Sequence, residues 1–344
     1  MNEVVDKLLT WYCSHKRKFP WRKDKDPYHV WISEIMLQQT RTGAVIPYYE
    51  KFMTTLPSIS SLAYVDDDLL MKLWQGLGYY NRARNLKKAA VMIMEKYDGK
   101  FPTTYSEIIQ LPGIGEYTAS AISSICFGED EVVVDGNVMR VFTRFYNDSC
   151  NISKASCKKK IHDHLQAFSI SDFGMFNEAL MELGEVICIP NGMPKCSSCP
   201  LKEKCLAYQN ENYYLFPVKD EKREKEEVFL TVFVFVWNGM TFVQKRKEKG
   251  LLHNLYEFPN VSKVLTEKEV WDYGGDYGEV LSVRKSISYT HVFTHKKWKM
   301  QSYFIFMREV NCPSLFSSIS DVEDNYALPS AFLPFFYILK EELL

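Results

Sequence analysis

Residues 104–125, TYSEIIQLPGIGEYTASAISSI, contain two short helical patterns joined by a glycine-containing turn. Thr104 and Glu107 have the spacing of a capping box, which predicts the start of the first helix. Residues 118–125 predict the second helix, because apolar side chains recur every three or four positions. The turn between them, Leu111-Pro112-Gly113-Ile114-Gly115, has glycines that permit positive φ and let backbone N–H groups approach an anion. It is compatible with a DNA phosphate site and also with an ordinary tight turn.

The helical periodicity extends well beyond this stretch. It runs from residue 4 to about residue 208 and predicts an all-helical domain over 1–210, and the charged stretch 211–227 predicts a solvated linker. Residues 228–344 change to alternating and β-branched patterns, which predict an α+β domain. We expect strands at 228–237, 241–245, 286–294 and 297–307, a type I′ turn at Asn238-Gly239, and helices at 267–273 and 331–343.

Composition limits the class of protein. The 344 residues are 46% hydrophobic and 25% charged, which is typical of a globular chain and excludes collagen-like or mostly disordered proteins. With 42 Lys and Arg against 43 Asp and Glu, any basic surface for nucleic acid must be local. The longest apolar run, 228–237, is too short to cross a bilayer. The first residues contain no apolar core of the kind found in signal peptides. We therefore expect a cytoplasmic, nucleoid-associated protein with no membrane partner.

Cysteine usage indicates a metal site. Of nine cysteines, four lie within 18 residues, in the pattern Cys-x7-Cys-x2-Cys-x5-Cys formed by Cys188, Cys196, Cys199 and Cys205. Four thiolates can hold either an iron–sulfur cluster or a structural zinc, and the spacing leaves both open. The other five cysteines are scattered, so we expect a reducing compartment and no disulfide framework.

Two acidic residues have informative surroundings. Glu34 lies in an apolar helical stretch with Trp31, Ile32 and Ile35, which should raise its pKa and make it a candidate proton donor, although it could also be a solvent-facing rim carboxylate. Asp135 precedes a new helical pattern, where an acid also serves as an ordinary N-cap.

Taken together, the motifs resemble the helix-hairpin-helix DNA glycosylase superfamily and, within it, the adenine DNA glycosylase (MutY) family. The resemblance covers most of the chain. The matching segments, in order, are Pro20–Arg22, Val30–Thr40, Gly76–Tyr80, the turn 111–115, Val134–Arg140, Phe176–Leu180 and the cysteine cluster.

The resemblance implies roles for the residues of a catalytic site. Glu34 matches the acid that protonates adenine at N7, and Asp135 matches the carboxylate that stabilises the oxocarbenium-like sugar. Asn137 and Tyr117 match polar supports of that anion and the sugar phosphate. Arg22 and Glu178 match contacts to the flipped base or its water.

The resemblance also implies DNA contacts. Gly113 and Gly115 belong to the phosphate-binding turn, and Gln39 and Tyr79 match residues that insert near the base opposite the flipped adenine. Without the resemblance, Gln39 could cap a helix and Tyr79 could belong to the core.

The second domain resembles the family's Nudix-like domain, which helps to read 8-oxoguanine. Phe293, Thr294 and His295 stand where the family often has Phe-Ser-His, so the hydroxyl is kept and a methyl is added. Residues 261–280 lack the acidic box of a Nudix hydrolase, which indicates a recognition module.

The fold implied is multi-domain, α plus α+β: an all-helical helix-hairpin-helix glycosylase domain with an iron–sulfur loop, followed by a Nudix-like α+β domain. The four cysteines are then expected to hold a 4Fe-4S cluster, although the first gap is one residue longer than the family's usual x6. The activity implied is adenine excision opposite 8-oxoguanine or guanine, by base flipping and hydrolysis, in base excision repair. We expect a monomer acting on double-stranded DNA that carries such a mismatch.

Tyr117 bears on the reaction type. In the related endonuclease III branch a lysine at this position can form a Schiff base and cleave the strand, whereas a phenol cannot. A monofunctional glycosylase is therefore expected. The alternatives are an endonuclease III-like enzyme acting on oxidised pyrimidines and a non-catalytic protein that binds damaged DNA.

Overall fold

A computed structural model describes residues 2–221, 224–248 and 250–343. The chain divides into two compact units, the first made of residues 1–64 and 84–221 and the second of 65–83 and 222–344. Lys222 and Arg223 of the expected linker lie outside the described residues. The boundaries 1–210, 211–227 and 228–344 stay predictions. No helix among the described residues is long and apolar enough to cross a membrane.

The amino-terminal two-thirds of the chain is helical, as predicted. The helices are α1 (Asn2–His15), α2 (Pro27–Leu37), α3 (Thr42–Thr55), α4 (Ile59–Ala63), α5 (Asp67–Leu73), α6 (Asn81–Lys96), α7 (Tyr105–Ile108), α8 (Glu116–Phe127), α9 (Gly136–Phe145), α10 (Ala155–Gln166), α11 (Phe173–Val186) and α12 (Leu206–Gln209). Helix α5 belongs to the second unit, and the division between the units falls inside α6.

Helix α11 shows why this part of the chain folds as it does. Its residues Phe176, Ala179, Leu180 and Leu183 are buried at spacings of three and four, so one face of the helix packs into a core shared with α1, α9 and α10. Gly184 permits a close approach to α9, because a Cβ there would lie 2.6 Å from the Cβ of Asn137. This contact fixes the part of α9 that carries Asn137.

The two helices predicted around the glycine turn are confirmed as α7 and α8, but the predicted capping box is wrong. Thr104 is the N-cap of α7, yet its side chain does not accept a backbone bond. Its hydroxyl instead donates to Oε2 of Glu107 at 2.8 Å, so the two side chains hydrogen-bond to each other and not to the backbone.

The cysteine expectation also needs correction. Cys150 and Cys157 form a disulfide. The short turn in which the Lys154 N–H donates to the Asn151 carbonyl at 3.0 Å brings Cys150 back to the first turn of α10. Periodicity reports apolar faces and does not reveal such a local return of the chain.

The carboxy-terminal part is α+β, as predicted. Its elements are β1 (Glu226–Trp237), β2 (Met240–Phe242), β3 (Gln244–Lys245), β4 (Tyr256–Glu257), β5 (Asn260–Val261), α13 (Glu267–Gly275), β6 (Gly278–Val292), β7 (Lys296–Val310), β8 (Phe316–Ser318), α14 (Ile319–Asn325) and α15 (Leu333–Leu343). The main sheet has the order β6-β7-β1-β2-β8, with β5 also paired to β1, and β3 and β4 form a separate pair. Strands β1 and β7 are parallel, and β6 and β7 form a long antiparallel hairpin.

Strand β1 is central and buried on both faces, which explains its unbroken apolar sequence. Val232 and Val234 belong to one core cluster, whereas Phe233 and Phe235 belong to the cluster on the other face. The predicted turn is confirmed, with φ of 48° at Asn238 and 72° at Gly239. The return strand is shorter than predicted, because the ladder of β2 ends at Phe242.

Candidate active site

A cleft in the first unit contains six of the residues singled out in the sequence. Its volume is about 1390 Å³, more than the few hundred Å³ that a small ligand usually fills. The predicted residues that line it are Arg22, Glu34, Tyr117, Asp135, Asn137 and Glu178. They come from a short 3₁₀ turn at Pro20–Arg22, from α2, α8 and α11, and from the start of α9.

Glu34 is a buried acid at this cleft. Its side chain lies on α2 among buried apolar residues, and the residue is 7% exposed. The Tyr117 hydroxyl donates to Oε2 of Glu34 at 2.6 Å. The pKa of Glu34 is raised to about 7. Burial is the main cause, the negative charge of Asp135 adds to it, and the Tyr117 bond and Arg22 act in the opposite direction. Glu34 can therefore carry and release a proton near neutral pH.

Asp135 has a different environment in the same cleft. It is the N-cap of α9, where Oδ1 accepts from the Val138 N–H at 2.7 Å and Oδ2 accepts from Nδ2 of Asn137 at 2.8 Å. The pKa of Asp135 is raised overall, because burial outweighs the lowering by these bonds and by the charge of Arg140. With a donor on each oxygen and a helix N-terminus beside it, Asp135 is better equipped than Glu34 to remain an anion.

Asn137 is itself held in place. Its Oδ1 accepts from Nη2 of Arg140 at 2.8 Å, which leaves Nδ2 directed to Asp135. Arg140 is buried and also donates to the Gly184 and Cys188 carbonyls. The orientation of the Asp135 carboxylate is thus set by a chain of hydrogen bonds.

Arg22 and Glu178 form an ion pair that belongs to a larger network of charged side chains. The sequence patterns did not indicate the other members of this network. Nε of Arg22 lies 3.2 Å from Oε1 of Glu178, and Nη1 lies 3.0 Å from Oε2 of Glu182. Glu182 is buried and also pairs with Arg17, which in turn pairs with Glu185. The spacing of the three glutamates at four and three residues places them on one face of α11, a signal that could have revealed the network.

The two glycines of the turn differ in conformation. Gly113 has φ of +80°, and a Cβ there would lie 2.5 Å from the Cβ of Asn85, so the position requires glycine. Gly115 has φ of −104° and is the N-cap of α8, so of the two glycines only Gly113 uses the positive φ that glycine permits. A Cβ added at Gly115 would have no atom of another described residue within 4 Å, so this glycine faces open space at the start of α8.

Gln39 and Tyr79 share an unusual backbone conformation. Gln39, in the first unit, has φ of 57° and is exposed directly after α2. Tyr79, in the second unit, has φ of 48° and is 47% exposed, so it is not a core residue. Non-glycine residues rarely adopt positive φ, and such strain often occurs at functional positions.

Phe293, Thr294 and His295 form the turn between β6 and β7. The Thr294 hydroxyl lies 2.7 Å from the Tyr79 hydroxyl. A hydrogen bond within the second unit therefore connects two of the predicted DNA-contacting residues. Thr294 and His295 are exposed, whereas Phe293 is partly buried against the core.

The four clustered cysteines line one small cavity, together with Arg144. Nη1 of Arg144 donates to Sγ of Cys188 at 3.4 Å, which places a positive charge beside this sulfur. Within the described ranges, no three His, Cys, Asp or Glu side chains are placed to hold a single metal ion. Four thiols around one cavity, with a guanidinium against them, fit the donor set and charge of an iron–sulfur cluster.

Comparison with known proteins identifies both parts of the chain. Residues 32–166 match the HhH-GPD superfamily of base excision DNA repair proteins, and residues 231–336 match the NUDIX domain. A solved structure of a thermostable thymine-DNA glycosylase superposes with a TM-score of 0.55 at 29% identity, covering 61% of this chain and 98% of that one. A non-covalent endonuclease III–DNA complex, at 22% identity and a TM-score of 0.53, shares the fold over 61% of this chain and 95% of its own. The predicted fold class is thereby confirmed.

Curated relatives identify the family. The adenine DNA glycosylase of Buchnera aphidicola subsp. Schizaphis graminum is 37% identical over 293 residues, which are 84% of this chain and 83% of the relative. That of Buchnera aphidicola subsp. Baizongia pistaciae is 41% identical over 73% of this chain and 72% of its own length, and the human protein is 41% identical over 59% of this chain and 39% of its own. Similarity at this level over most of the length is not confined to the glycine turn or to the cysteines. This chain therefore belongs to the adenine DNA glycosylase family.

Proposed function

We propose that this protein is a monofunctional DNA glycosylase of base excision repair that removes adenine paired with 8-oxoguanine or guanine. The observation that carries the proposal is Glu34, a buried acid with a pKa of about 7 that shares one cleft with Asp135. A proton donor and an anion in different environments are what the hydrolysis of an N-glycosidic bond requires.

In this reaction Glu34 acts as the general acid. Its protonated carboxyl donates to N7 of the flipped adenine while the C1′–N9 bond breaks, so the bonding electrons leave with a neutral base. A donor whose pKa lies near the working pH is effective in this role. Tyr117 holds the carboxyl through its 2.6 Å hydrogen bond.

Asp135 stabilises the positive charge that develops at C1′. The donors on its two oxygens, the Val138 N–H and the Asn137 amide, keep the carboxylate ionised and oriented. Water then adds at C1′ and gives its proton to the Glu34 carboxylate, which restores the acid and leaves an abasic site and free adenine. Arg22 and Glu178 line the cleft where the base and the water would lie.

Flipping and recognition involve residues outside the cleft. The open N-terminus of α8 after Gly113 and Gly115 would bind a DNA phosphate. Gln39 of the first unit and Tyr79 of the second would each insert near the base opposite the flipped adenine. Thr294, with Phe293 and His295, would contact the base opposite the adenine. The exposure of Gln39, Tyr79, Thr294 and His295 supports these roles.

We further propose that Cys188, Cys196, Cys199 and Cys205 hold a 4Fe-4S cluster. Bound there, the cluster would fasten the 188–205 loop to α9 and α11 and would take no part in bond cleavage. The longer first gap is compatible with this set, because the Lys195 N–H donates to the Ile187 carbonyl at 2.9 Å and closes the loop that contains the extra residue.

Two alternatives are less well supported. Tyr117 has a phenol where an endonuclease III-like lyase needs an amine. A non-catalytic damage-binding protein has no need of a buried acid beside a second carboxylate, and maintaining such a pair costs stability.

The test uses three duplexes, with adenine opposite 8-oxoguanine, adenine opposite guanine, and an oxidised pyrimidine. Base release and strand scission are measured separately, and borohydride is added to trap any Schiff base. We expect release of adenine from the first two duplexes, without scission or trapping. Release of the pyrimidine with trapping would establish the lyase, and binding without release would establish the binding protein.

A further inference from the structure

A buried ion pair in the second unit has no part in the function proposed above. Nη1 of Arg246 lies 2.6 Å from Oε2 of Glu257, and the side chains are 15% and 7% exposed. Arg246 follows β3, and Glu257 lies in β4, across the same two-stranded ladder. A buried ion pair contributes little net stability compared with apolar residues of similar size, so its presence calls for another explanation.

The backbone fixes Arg246 at this place. Its N–H donates to the Leu255 carbonyl at 2.8 Å, and its carbonyl accepts from the Asn254 N–H at 2.9 Å. The loop that separates β3 from β4 is therefore closed at its base, and the guanidinium has little freedom to move away from Glu257.

The guanidinium also contacts an aromatic ring of the main sheet. Cζ of Arg246 lies 5.5 Å from the ring centroid of Trp298, within the range of a cation–π interaction. Trp298 is buried on β7, directly opposite His291 of β6. The ion pair thus orients a group that packs on the β6–β7 hairpin.

Trp298 in turn contacts the turn of this hairpin. Its ring meets that of Phe293 edge to face, with centroids 4.9 Å apart and an interplanar angle of 71°. The Phe293 N–H donates to the Lys296 carbonyl at 2.8 Å and closes the turn that presents Thr294 and His295. A continuous series of contacts therefore runs from Glu257 through Arg246 and Trp298 to Phe293.

We infer that Arg246 and Glu257 are positioning residues that fix the Phe293–His295 turn, and so set how strongly the enzyme distinguishes 8-oxoguanine from guanine opposite adenine. The inference rests on the proposed function, because the turn is taken to contact that base. Neither residue is expected to touch DNA or the reacting atoms. Their effect is transmitted by the packing of Trp298 on Phe293.

Glu248 provides a matched control. Its Oε2 lies 2.6 Å from Nη2 of the same guanidinium, but its side chain is 78% exposed. An exposed pair of this kind is screened by water and holds its partners weakly. Glu248→Gln removes one negative charge from Arg246 and leaves the buried pair intact.

The main variant is the double substitution Arg246→Met with Glu257→Met in the full chain. It replaces the pair by apolar side chains of similar length and leaves no charge buried alone. We measure amide hydrogen exchange of residues 293–296 in the free protein, and the ratio of single-turnover excision rates for adenine opposite 8-oxoguanine and opposite guanine. We expect exchange about tenfold faster and a ratio about tenfold smaller, with both unchanged in Glu248→Gln.

Two further variants keep the test decisive. If the double variant does not fold, Glu257→Gln removes the charge of the acceptor with the smallest change in shape. Arg246→Lys retains the positive charge and is expected to restore part of the ratio, which a loss of general stability would not predict.

Each outcome has a defined meaning. Unchanged exchange in a folded variant overturns the inference, and so does an equal effect of Glu248→Gln. Faster exchange with an unchanged ratio overturns the link to base discrimination. A wild-type protein that excises adenine equally from both duplexes overturns the link to base discrimination, whereas one that excises adenine from neither contradicts the proposed function. In both cases the exchange data still decide whether the pair positions the turn.

Discussion

At the scale of single residues, the buried carboxyl of Glu34 is the proposed proton donor and also affects stability. Its pKa is raised from 4.5 to about 7 on folding, so the folded state binds more protons than the unfolded chain between those pH values. The contribution of Glu34 to stability is therefore lost progressively as pH rises through this window. The buried Glu34 carboxyl therefore lowers the free energy of unfolding at neutral pH.

Glu34→Gln should remove this cost. An amide can still accept the Tyr117 hydrogen bond but does not ionise, so we expect the variant to be as stable as wild type at pH 4 and more stable at pH 8, by roughly 3 kcal/mol. Denaturant unfolding at both pH values measures the difference. Equal stability of the two proteins at pH 8 would show that Glu34 ionises freely in the fold.

Tyr117→Phe removes the hydroxyl that donates to the Glu34 carboxyl and tests its effect on the pKa of that carboxyl. The phenol donates to Glu34 and lowers the pKa of that carboxyl, so its removal should raise this pKa further, by roughly one pH unit. The descending limb of kcat/KM against pH should move to higher pH by that amount. A limb that stays in place or moves to lower pH would mean that Tyr117 does not control the proton on Glu34.

Some of this site could be predicted from residues alone, and some could not. The apolar neighbours of Glu34 predict its raised pKa, because they lie within one helical turn of it. The bond from Tyr117 depends on how α2 packs against α8, which no local pattern reports. Glu182 was missed because an isolated acid on a helix is usually exposed, whereas two arginines surround this one.

At the scale of elements, the glycine turn between α7 and α8 contains two glycines with different requirements. Gly113→Ala should cost at least about 2 kcal/mol of unfolding free energy and weaken DNA binding, because it adds strain at φ of +80° and a clash with Asn85. Gly115→Ala is the matched control for stability, since that residue is extended and its Cβ would meet open space. Chemical denaturation and duplex affinity measure both effects. An equal loss of stability in the two variants would contradict this assignment.

Hydrophobic periodicity predicts individual helices and strands but not the unit to which each belongs. The alternation and turn residues around Asn238-Gly239 predict the hairpin, because a type I′ turn needs positive φ at two adjacent residues. Helix α5 follows the same helical pattern as its neighbours, yet it belongs to the second unit. Lys72 of this helix donates to the Tyr326 carbonyl at 3.1 Å, a contact between residues 254 positions apart that local sequence does not encode.

At the scale of the whole molecule, the cysteine loop and the cleft that contains Glu34 and Asp135 belong to one helical unit and meet through α9 and α11. Arg140 bonds both the Asn137 side chain and the Cys188 carbonyl, so the loop that contains the cysteines is tied to the residue that orients Asp135. A group bound by the cysteines would therefore stabilise, through Arg140, the position of Asn137 in the cleft.

Metal analysis tests this arrangement. Protein purified without oxygen should contain iron and acid-labile sulfide in equal amounts, about four of each per chain. Cys199→Ser should lose most of both and become less stable. A protein that contains one zinc and no sulfide would contradict the cluster.

We propose that Glu34 delivers the proton that releases adenine. The single-turnover rate of adenine release opposite 8-oxoguanine tests this role, with wild type and Glu34→Gln compared at enzyme concentrations that saturate the duplex. We predict that Glu34→Gln binds the duplex as wild type does and releases adenine about a thousandfold more slowly. Release by Glu34→Gln at the wild-type rate would contradict the account.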